Sequence, residues 1–323
     1  HQETWERIVA MFAKFGSPLT ESLREQCLMP QNAEILTNKM GTAPGMWFDE
    51  GGKVVVSMPG VPFEMDYLME HEVVPRLSER FAGKPIAHRT VLTTGVGETF
   101  IAEKLKDFEG NLPAWLKLAY LPAISQVRLR LTASHDDELL MKKTLAEKLA
   151  EMQSLLPPEI IAGYEKDTIE LAVGRLLKER KLTLSTAESC SGGYLAHMIT
   201  TVPGSSNYFM GSVISYSNEV KMRQLGVKEE TLKEFGAVSE QTVKEMVAGA
   251  LDLLRTDIAI ATSGIAGPDG GTPEKPVGTI WLAVGDKNRI ETKKLQLGKD
   301  RLRNIQYTGL YALNLLRLFL RNG

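Results

Sequence analysis

Apolar residues recur at two different spacings along the first eighty or so residues. Residues 2–15 carry them three and four positions apart, which predicts an amphipathic helix. Residues 53–58 form a short apolar run that predicts a buried strand, and Pro59-Gly60-Val61-Pro62 ends it. Residues 64–77 return to helical spacing. This order of helix, strand and helix predicts an α/β region.

The pattern changes from about residue 84. Short alternating runs predict strands over 90–94, 118–120 and 126–132, and periodic stretches predict helices over 98–106 and 136–153. A run of this kind is typical of a small separate α+β domain. We expect this domain to end near Pro157-Pro158 or just after.

Strands and helices alternate in the third segment. The predicted strands are 181–186, 210–216, 257–262, 278–284 and 290–297, and the last two form a hairpin. The predicted helices are 167–180, 193–201, 218–225, 240–255 and 300–321, with Ser239 as the N-cap of the fourth. This alternation predicts an open mixed sheet with helices on both faces. The chain as a whole is therefore expected to be an α/β multidomain protein.

Composition and net charge limit the kinds of partner that this chain is expected to bind. The chain has 323 residues, a length that predicts more than one domain. Of these residues 43% are hydrophobic and 24% are charged, which is typical of soluble globular proteins. Its net charge of −2 offers no electrostatic footprint for nucleic acid or an anionic membrane. No stretch approaches the ~20 apolar residues that span a bilayer, and the opening residues lack the apolar run of a signal peptide. We predict a cytoplasmic protein with no nucleic-acid and no membrane partner.

Cysteine and histidine usage limits the chemistry. Cys27 and Cys190 are the two cysteines, far apart in sequence, which excludes a disulfide framework and a thiolate zinc cluster. The five histidines show no spacing of four residues that would suggest paired metal ligands on a helix. The sequence therefore predicts no metal site.

Three polar, glycine-bearing stretches directly follow predicted strands, at the sheet edge where ligands bind in open α/β folds. The first is 186–193, which holds three candidate nucleophiles, Ser189, Cys190 and Ser191. Gly192 and Gly193 allow close approach of a ligand, and the helix that follows offers its positive dipole end to an oxyanion or phosphate. The alternative is that a serine caps this helix and Cys190 is a buried small apolar residue.

The second stretch is 216–221, with Tyr216 at the strand end, Asn218 and, one turn into the next helix, Lys221. A lysine acts as a general base only when neutral, so its pKa of ~10.4 must fall by roughly three units. Burial and the helix dipole both act in that direction, and Tyr216 could relay a proton. The alternative is a solvated lysine paired with Glu219 or Glu230.

The third stretch, 262–271, contains Ser263 and four glycines around Pro268: Gly264, Gly267, Gly270 and Gly271. So many glycines after a buried strand favour a loop that wraps a ligand and directs amides at a carbonyl oxygen or phosphate. A long mobile turn is the alternative. Arg301, at the start of the last helix, could hold a phosphate.

These stretches carry a family resemblance. Ala187 to Gly193, Tyr216 to Lys221, Gly236 to Ser239 and Gly264 to Gly271 together resemble the carboxy-terminal domain of the CinA family. The resemblance implies a bacterial nicotinamide mononucleotide deamidase of pyridine nucleotide recycling, from about residue 165 to the end.

The resemblance extends upstream. Gly41 to Met46 and Met58 to Glu64 are similar to the family's molybdopterin-cofactor-binding-like domain, and 118–132 to its KH-like linker. It implies domains over 1–83, 84–160 and 161–323.

In some family members the amino-terminal domain hydrolyses ADP-ribose with a divalent metal. The βαβ stretch that opens that domain in the family is absent from this sequence, which begins at His1 in a helical pattern. We therefore expect residues 1–83 to be its second half, with an incomplete pyrophosphatase site. Two other functions stay open, an ADP-ribose pyrophosphatase and a nucleotide- or pterin-binding module without amidase activity. RNA binding is not expected, because Gly95-Val96-Gly97-Glu98 lacks the Gly-x-x-Gly spacing.

The resemblance also implies a mechanism for a small-molecule nucleotide substrate. Ser189 attacks the carboxamide, and Lys221 takes its proton directly or through Tyr216. Amides near Gly192 or at Ser263-Gly264 hold the oxyanion. The glycine loop and Arg301 hold the ribose phosphate.

This step needs no metal or organic cofactor, and the resemblance implies a homodimer. In a rival scheme Cys190 is the nucleophile, with Glu188 or Lys221 as its base.

Overall fold

The computed structural model describes residues 1–81 and 83–321. The chain is a mixed α/β protein that divides into two compact units, His1–Lys84 and Pro85–Gly323. None of the helices in the described ranges is long and apolar enough to cross a membrane.

The first unit packs helices against a small antiparallel sheet with the strand order β1-β2-β3. Its elements are α1 (Gln2–Phe15), α2 (Glu21–Glu25), β1 (Glu34–Leu36), β2 (Gly45–Glu50), β3 (Lys53–Ser57), α3 (Pro62–Leu68) and α4 (Val74–Arg80). Its core gathers Leu36, Trp47, Leu68 and Val73. The prediction of a buried strand at 53–58 was wrong. β3 is an edge strand that alternates half-buried and exposed residues, because only one of its faces packs on the core.

The second unit opens with an antiparallel sheet in the order β5-β6-β4-β7. Its elements are β4 (Ile86–Thr94), α5 (Glu98–Gly110), β5 (Leu116–Ala123), β6 (Gln126–Ser134), α6 (Glu138–Ser154) and β7 (Ile161–Tyr164). Val127, Leu129 and Leu131 alternate along β6 and face the core beneath α5 and α6. The predicted strands and helices of this segment are present, and β7 is a fourth strand that the sequence pattern did not predict. It continues this sheet beyond Pro157-Pro158.

A second sheet of five strands follows, in the order β12-β11-β10-β8-β9. Its elements are α7 (Ile169–Arg180), β8 (Leu184–Glu188), α8 (Tyr194–Thr200), β9 (Phe209–Ile214), α9 (Asn218–Leu225), α10 (Glu229–Phe235), α11 (Glu240–Leu254), β10 (Ile258–Gly264), β11 (Thr279–Gly285), β12 (Ile290–Gln296) and α12 (Arg301–Arg321). β9, β8 and β10 are parallel, whereas β11 and β12 form the predicted antiparallel hairpin. The predicted mixed sheet is confirmed.

Helices cover both faces of this sheet. α11 buries Val243, Met246 and Val247 on one face, and α7, α8 and α12 pack on the other. Each such aliphatic side chain contributes about 1.5–3 kcal/mol when fully buried. Ser239 caps α11 as predicted, since its side chain accepts the Thr242 N–H.

A close approach of α9 and α11 sets the position of α9. A Cβ atom on Gly249 would lie 1.9 Å from the main-chain oxygen of Leu225, so only glycine lets the two backbones approach this closely. α9 is the helix that carries Lys221.

The parallel strands explain why the three chemical stretches meet. β8 ends at Glu188, β9 at Ile214 and β10 at Gly264. Because these strands run in the same direction and pair side by side, the residues that follow them lie at one edge of the sheet.

Candidate functional site

Ser189 and Lys221 meet at this edge. Ser189 follows β8 directly, and its N–H donates to the Thr262 carbonyl at 2.9 Å, which extends the parallel ladder by one bond. Lys221 lies in the first turn of α9, whose N-cap Ser217 accepts the Val220 N–H. The Lys221 Nζ is 3.0 Å from the Ser189 Oγ. Both side chains are buried, with 1% of Lys221 and 8% of Ser189 exposed.

The surroundings of Lys221 favour its neutral form. Its amine also donates to the main-chain carbonyls of Ser215, at 2.7 Å, and Tyr216, at 3.5 Å, which are neutral groups. Burial lowers the pKa of Lys221 from the ordinary value of 10.5. The alternative of a solvated lysine on the helix surface was wrong. A neutral amine can accept the Ser189 proton while it donates to the Ser215 carbonyl.

The Tyr216 side chain bonds Arg301. Its hydroxyl accepts from Arg301 Nη2 at 2.9 Å, and 61% of the residue is exposed. Tyr216 contacts Lys221 through its main-chain carbonyl. Two routes were expected for the Ser189 proton, one directly to Lys221 and one through Tyr216. This geometry favours the direct route, because the Tyr216 hydroxyl pairs with Arg301 while the Lys221 amine contacts the Ser189 hydroxyl.

Glu188, the last residue of β8, occupies the start of α8. Its carboxylate is fully buried and accepts the N–H groups of Gly193, Leu195 and Ala196 at 3.0, 3.1 and 2.8 Å. The Ser191 hydroxyl donates to it at 2.7 Å. The expectation that this helix start, with the Gly193 amide, serves a substrate oxyanion or phosphate is corrected, because an internal carboxylate already binds there.

Cys190 faces the apolar core on the α8 side of the sheet, and 6% of it is exposed. Burial raises the pKa of its thiol to about 12. A thiol with that pKa holds almost no thiolate at neutral pH. Ser191 is also buried, and its hydroxyl bonds the Thr262 hydroxyl at 2.7 Å as well as Glu188. Cys190 and Ser191 thus fasten the turn behind Ser189.

The end of β10 supplies a main-chain donor beside Ser189. The Ile265 N–H donates to Thr279 of β11, so Gly264, one residue earlier, directs its N–H to the opposite side of the strand. That is the side on which the Thr262 carbonyl meets Ser189. The Ser263 hydroxyl donates to the Ala237 carbonyl at 2.6 Å and is buried, so it braces the Gly236–Ser239 stretch.

The first turn of α12 holds the glycine loop. Arg301 Nη1 donates to the Gly267 carbonyl at 3.0 Å, and Asn304 Nδ2 donates to the carbonyls of Ala266 and Gly298 at 2.8 Å. Gly267 has a φ of +93°, and a Cβ there would lie 2.8 Å from the Lys299 carbonyl oxygen. The remaining predicted binding residues are exposed around this edge: Gly192, Asn218, Pro268, Gly270 and Gly271.

Sequence reasoning missed two supports of the site. Ser215 acts through its carbonyl oxygen, which leaves no signal in a side-chain pattern. Asn304, one turn after Arg301, has a buried side chain on a helix that begins beside the glycine loop, and a polar residue on the core-facing side of a helix was the signal that could have found it.

A metal cluster is not found in the described ranges. Among residues 1–81 and 83–321, no three side chains of the types His, Cys, Asp or Glu gather closely enough to hold an ion. The described residues therefore do not present a cluster of three such ligands for the divalent metal that the resemblance implies for a pyrophosphatase.

Two family models match the second unit. The model described as CinA C-terminal domain matches residues 166–320, and the one described as Damage-inducible protein CinA KH domain matches residues 88–162.

Proteins of known sequence match over most of the chain. A CinA-like protein of Cytophaga hutchinsonii is 49% identical over 296 residues, which cover 91% of this chain and 70% of that protein. A CinA-like protein of Flavobacterium psychrophilum is 44% identical over 288 residues, 89% of this chain and 69% of that protein. The crystal structure of a competence-damaged protein (CinA) superfamily member from Klebsiella pneumoniae is 37% identical, with 48% of this chain and 97% of that chain covered and a TM-score of 0.47.

Proposed function

The chain belongs to the CinA family, and from the contact between Ser189 and Lys221 we propose that its last segment is an amidase that converts nicotinamide mononucleotide to nicotinic acid mononucleotide and ammonia. The observation that carries this proposal is the 3.0 Å approach of a buried lysine amine to a serine hydroxyl at the ligand-binding edge of the sheet. A hydroxyl becomes a nucleophile when an adjacent base removes its proton.

In the first step the Ser189 Oγ bonds to the carboxamide carbon while its proton passes to the Lys221 amine. The lowered pKa of Lys221 supports this role, because an amine that is already protonated cannot accept the proton. The carbonyl oxygen becomes an oxyanion, and in this proposal it is held by the Gly264 N–H, which points to the side of β10 on which Ser189 lies.

In the second step the C–N bond breaks, and the leaving nitrogen takes the proton held by Lys221 and departs as ammonia. A water molecule then attacks the serine ester, again giving its proton to Lys221. The ester C–O bond breaks, Ser189 recovers its proton, and the acid product leaves. No cofactor takes part in these steps.

The ribose phosphate of the substrate binds at Arg301 and the loop from Gly267 to Gly271 in this proposal. Arg301 is exposed and already bridges Tyr216 and Gly267, so its guanidinium is held in place at the rim of the site. An arginine held in this way can also donate to phosphate oxygens, which favours a phosphorylated substrate. The homodimer and the cytoplasmic location stay predictions.

Ammonia release from nicotinamide mononucleotide tests the proposal. We expect steady release by the full chain and a loss of at least about a hundredfold in Ser189→Ala. Nicotinamide riboside, which lacks the phosphate, should be a poorer substrate through a higher KM. No ammonia from the wild-type protein, or equal turnover by folded Ser189→Ala, would refute the proposed activity.

A further inference from the structure

Glu188 has more hydrogen-bond partners than its position next to the nucleophile requires. Besides the three amides at the start of α8 and the Ser191 hydroxyl, the hydroxyls of Thr186 and Ser212 donate to its carboxylate at 3.4 Å. The residue is fully buried. Its partners are amides and hydroxyls, so the carboxylate is stabilised by hydrogen bonds and by the positive end of α8.

These contacts surround the turn that carries Ser189. Ser189 and Cys190 lie between the strand end at Glu188 and the Ser191–Ala196 stretch that the carboxylate holds. Ser191 in turn reaches the Thr262 hydroxyl on β10, and the Thr262 carbonyl holds the Ser189 N–H. The turn is thereby tied to α8 on one side and to β10 on the other.

The main chain of Glu188 also reaches the lysine side of the site. Its carbonyl accepts the Ser215 N–H at 2.8 Å, and the Ser215 carbonyl accepts from the Lys221 amine at 2.7 Å. Residue 188 therefore contacts the supports of both members of the Ser189–Lys221 pair.

We propose that Glu188 is a positioning residue, whose carboxylate holds the 189–193 turn so that the Ser189 hydroxyl stays within reach of the Lys221 amine. This inference rests on the proposed serine chemistry and deepens it. It also implies that anionic groups of the substrate bind at the glycine loop and Arg301, because the helix start beside Ser189 is filled from within.

The side-chain length and charge at position 188 both matter for this role. An aspartate is shorter by one carbon, about 1.5 Å, and cannot reach the α8 amides from the same backbone. A glutamine keeps the length but has one acceptor oxygen, and its NH2 would face N–H donors. Neither variant is therefore expected to hold the 189–193 turn as Glu188 does.

The test measures the reactivity of Ser189 separately from the amidase reaction. Full-length Glu188→Gln and Glu188→Asp are compared with wild type for kcat and KM on nicotinamide mononucleotide, and for the rate of covalent labelling by an alkyl fluorophosphonate. We expect kcat and the labelling rate to fall together, on the order of a hundredfold, with KM little changed, as displacement of a reacting group by about 1 Å produces.

Thr168→Ala is the matched control. Thr168 caps α7 by accepting the Leu171 N–H, so this variant loses a helix cap outside the 189–193 turn and outside α9, and both of its rates should match wild type. If Glu188→Gln does not fold, Ser191→Ala removes one donor to the carboxylate and should lower both rates by a smaller factor.

Wild-type rates of labelling in folded Glu188→Gln, or a rise in KM alone, would overturn the positioning role. Labelling of wild type without ammonia release would refute the proposed substrate and leave the role of Glu188 testable by labelling.

Discussion

The amine of Lys221 lies 3.0 Å from the hydroxyl of Ser189, although 32 positions separate the two residues in sequence. One follows β8 and the other lies in the helix that follows the neighbouring strand β9. Parallel pairing of β8 and β9 brings the two strand ends together, and burial at that edge removes the lysine from water.

Replacement of the lysine should abolish turnover. We expect Lys221→Ala to lower kcat for ammonia release by about 10²–10⁴-fold, the usual contribution of a positioned general base. Lys221→Arg should be equally inactive, because a guanidinium stays protonated and cannot accept the serine proton. Arg223→Ala, an exposed change on the same helix, is the control and should match wild type. An active arginine variant would contradict the role of Lys221 as base.

The buried lysine should make stability depend on pH. Because its pKa is lowered in the folded protein, the unfolded chain binds one more proton between that lowered value and 10.5. The free energy of unfolding should therefore rise with pH through this window, reach its full value above 10.5 and lack this rise in Lys221→Met. Urea unfolding of both proteins at a series of pH values measures the difference. Parallel curves for the two proteins would show that the folded pKa is ordinary.

Removal of the thiol separates the two nucleophile schemes. We expect Cys190→Ala to keep turnover close to wild type, because the thiol is buried with a pKa of about 12 and Ser189 carries the reaction. Iodoacetamide should likewise fail to modify Cys190 in the folded protein at neutral pH. Loss of ammonia release in a folded Cys190→Ala protein would instead favour the cysteine scheme.

Arg301 should act on substrate binding more than on chemistry. Arg301→Ala loses a charge-assisted bond to the phosphate, which predicts a KM for nicotinamide mononucleotide about tenfold higher or more, with kcat changed much less. The same variant should raise the KM for nicotinamide riboside much less, because with that substrate it loses only the bonds from Arg301 to Gly267 and Tyr216. Arg303→Ala, two residues later and exposed, serves as the control. An equal effect on both substrates would place the phosphate elsewhere.

The close contact of α9 with α11 leaves no room for a methyl group at position 249. Gly249→Ala places a Cβ where the Leu225 oxygen lies, so the helices must separate, at a cost of about 1–3 kcal/mol in unfolding free energy. Since α9 carries Lys221, turnover should fall as well. Gly110→Ala in α5 provides the comparison, because a Cβ there meets nothing within 4 Å. Urea unfolding with parallel activity assays measures both effects, and an unchanged midpoint for Gly249→Ala would contradict the packing argument.

The spacing of apolar residues was sufficient to predict many helices and strands of the second unit. The spacing of apolar residues predicted the helix from Asn218 to Leu225, the hairpin of β11 and β12 and the cap at Ser239, because these depend on local hydrogen bonds and on which face of an element is buried. The sequence pattern did not predict β7 and α10, because each element is too short for its apolar residues to show a helical or strand periodicity. The open side of β3 was also missed, because a run of valines is equally compatible with one buried face or two.

The candidate site likewise has features that the sequence predicts and features that only the structure shows. By itself the sequence determined which residue types follow the ends of the strands. It therefore also determined that Ser189, Lys221 and the glycine loop lie at one edge of the sheet. Only the tertiary structure decided what each group does there. Burial lowers the pKa of Lys221, the Tyr216 hydroxyl turns to Arg301, and Glu188 fills the helix start that had been expected to receive an anion. These outcomes depend on distances and solvent exclusion between segments far apart in the chain, which a one-dimensional pattern does not contain.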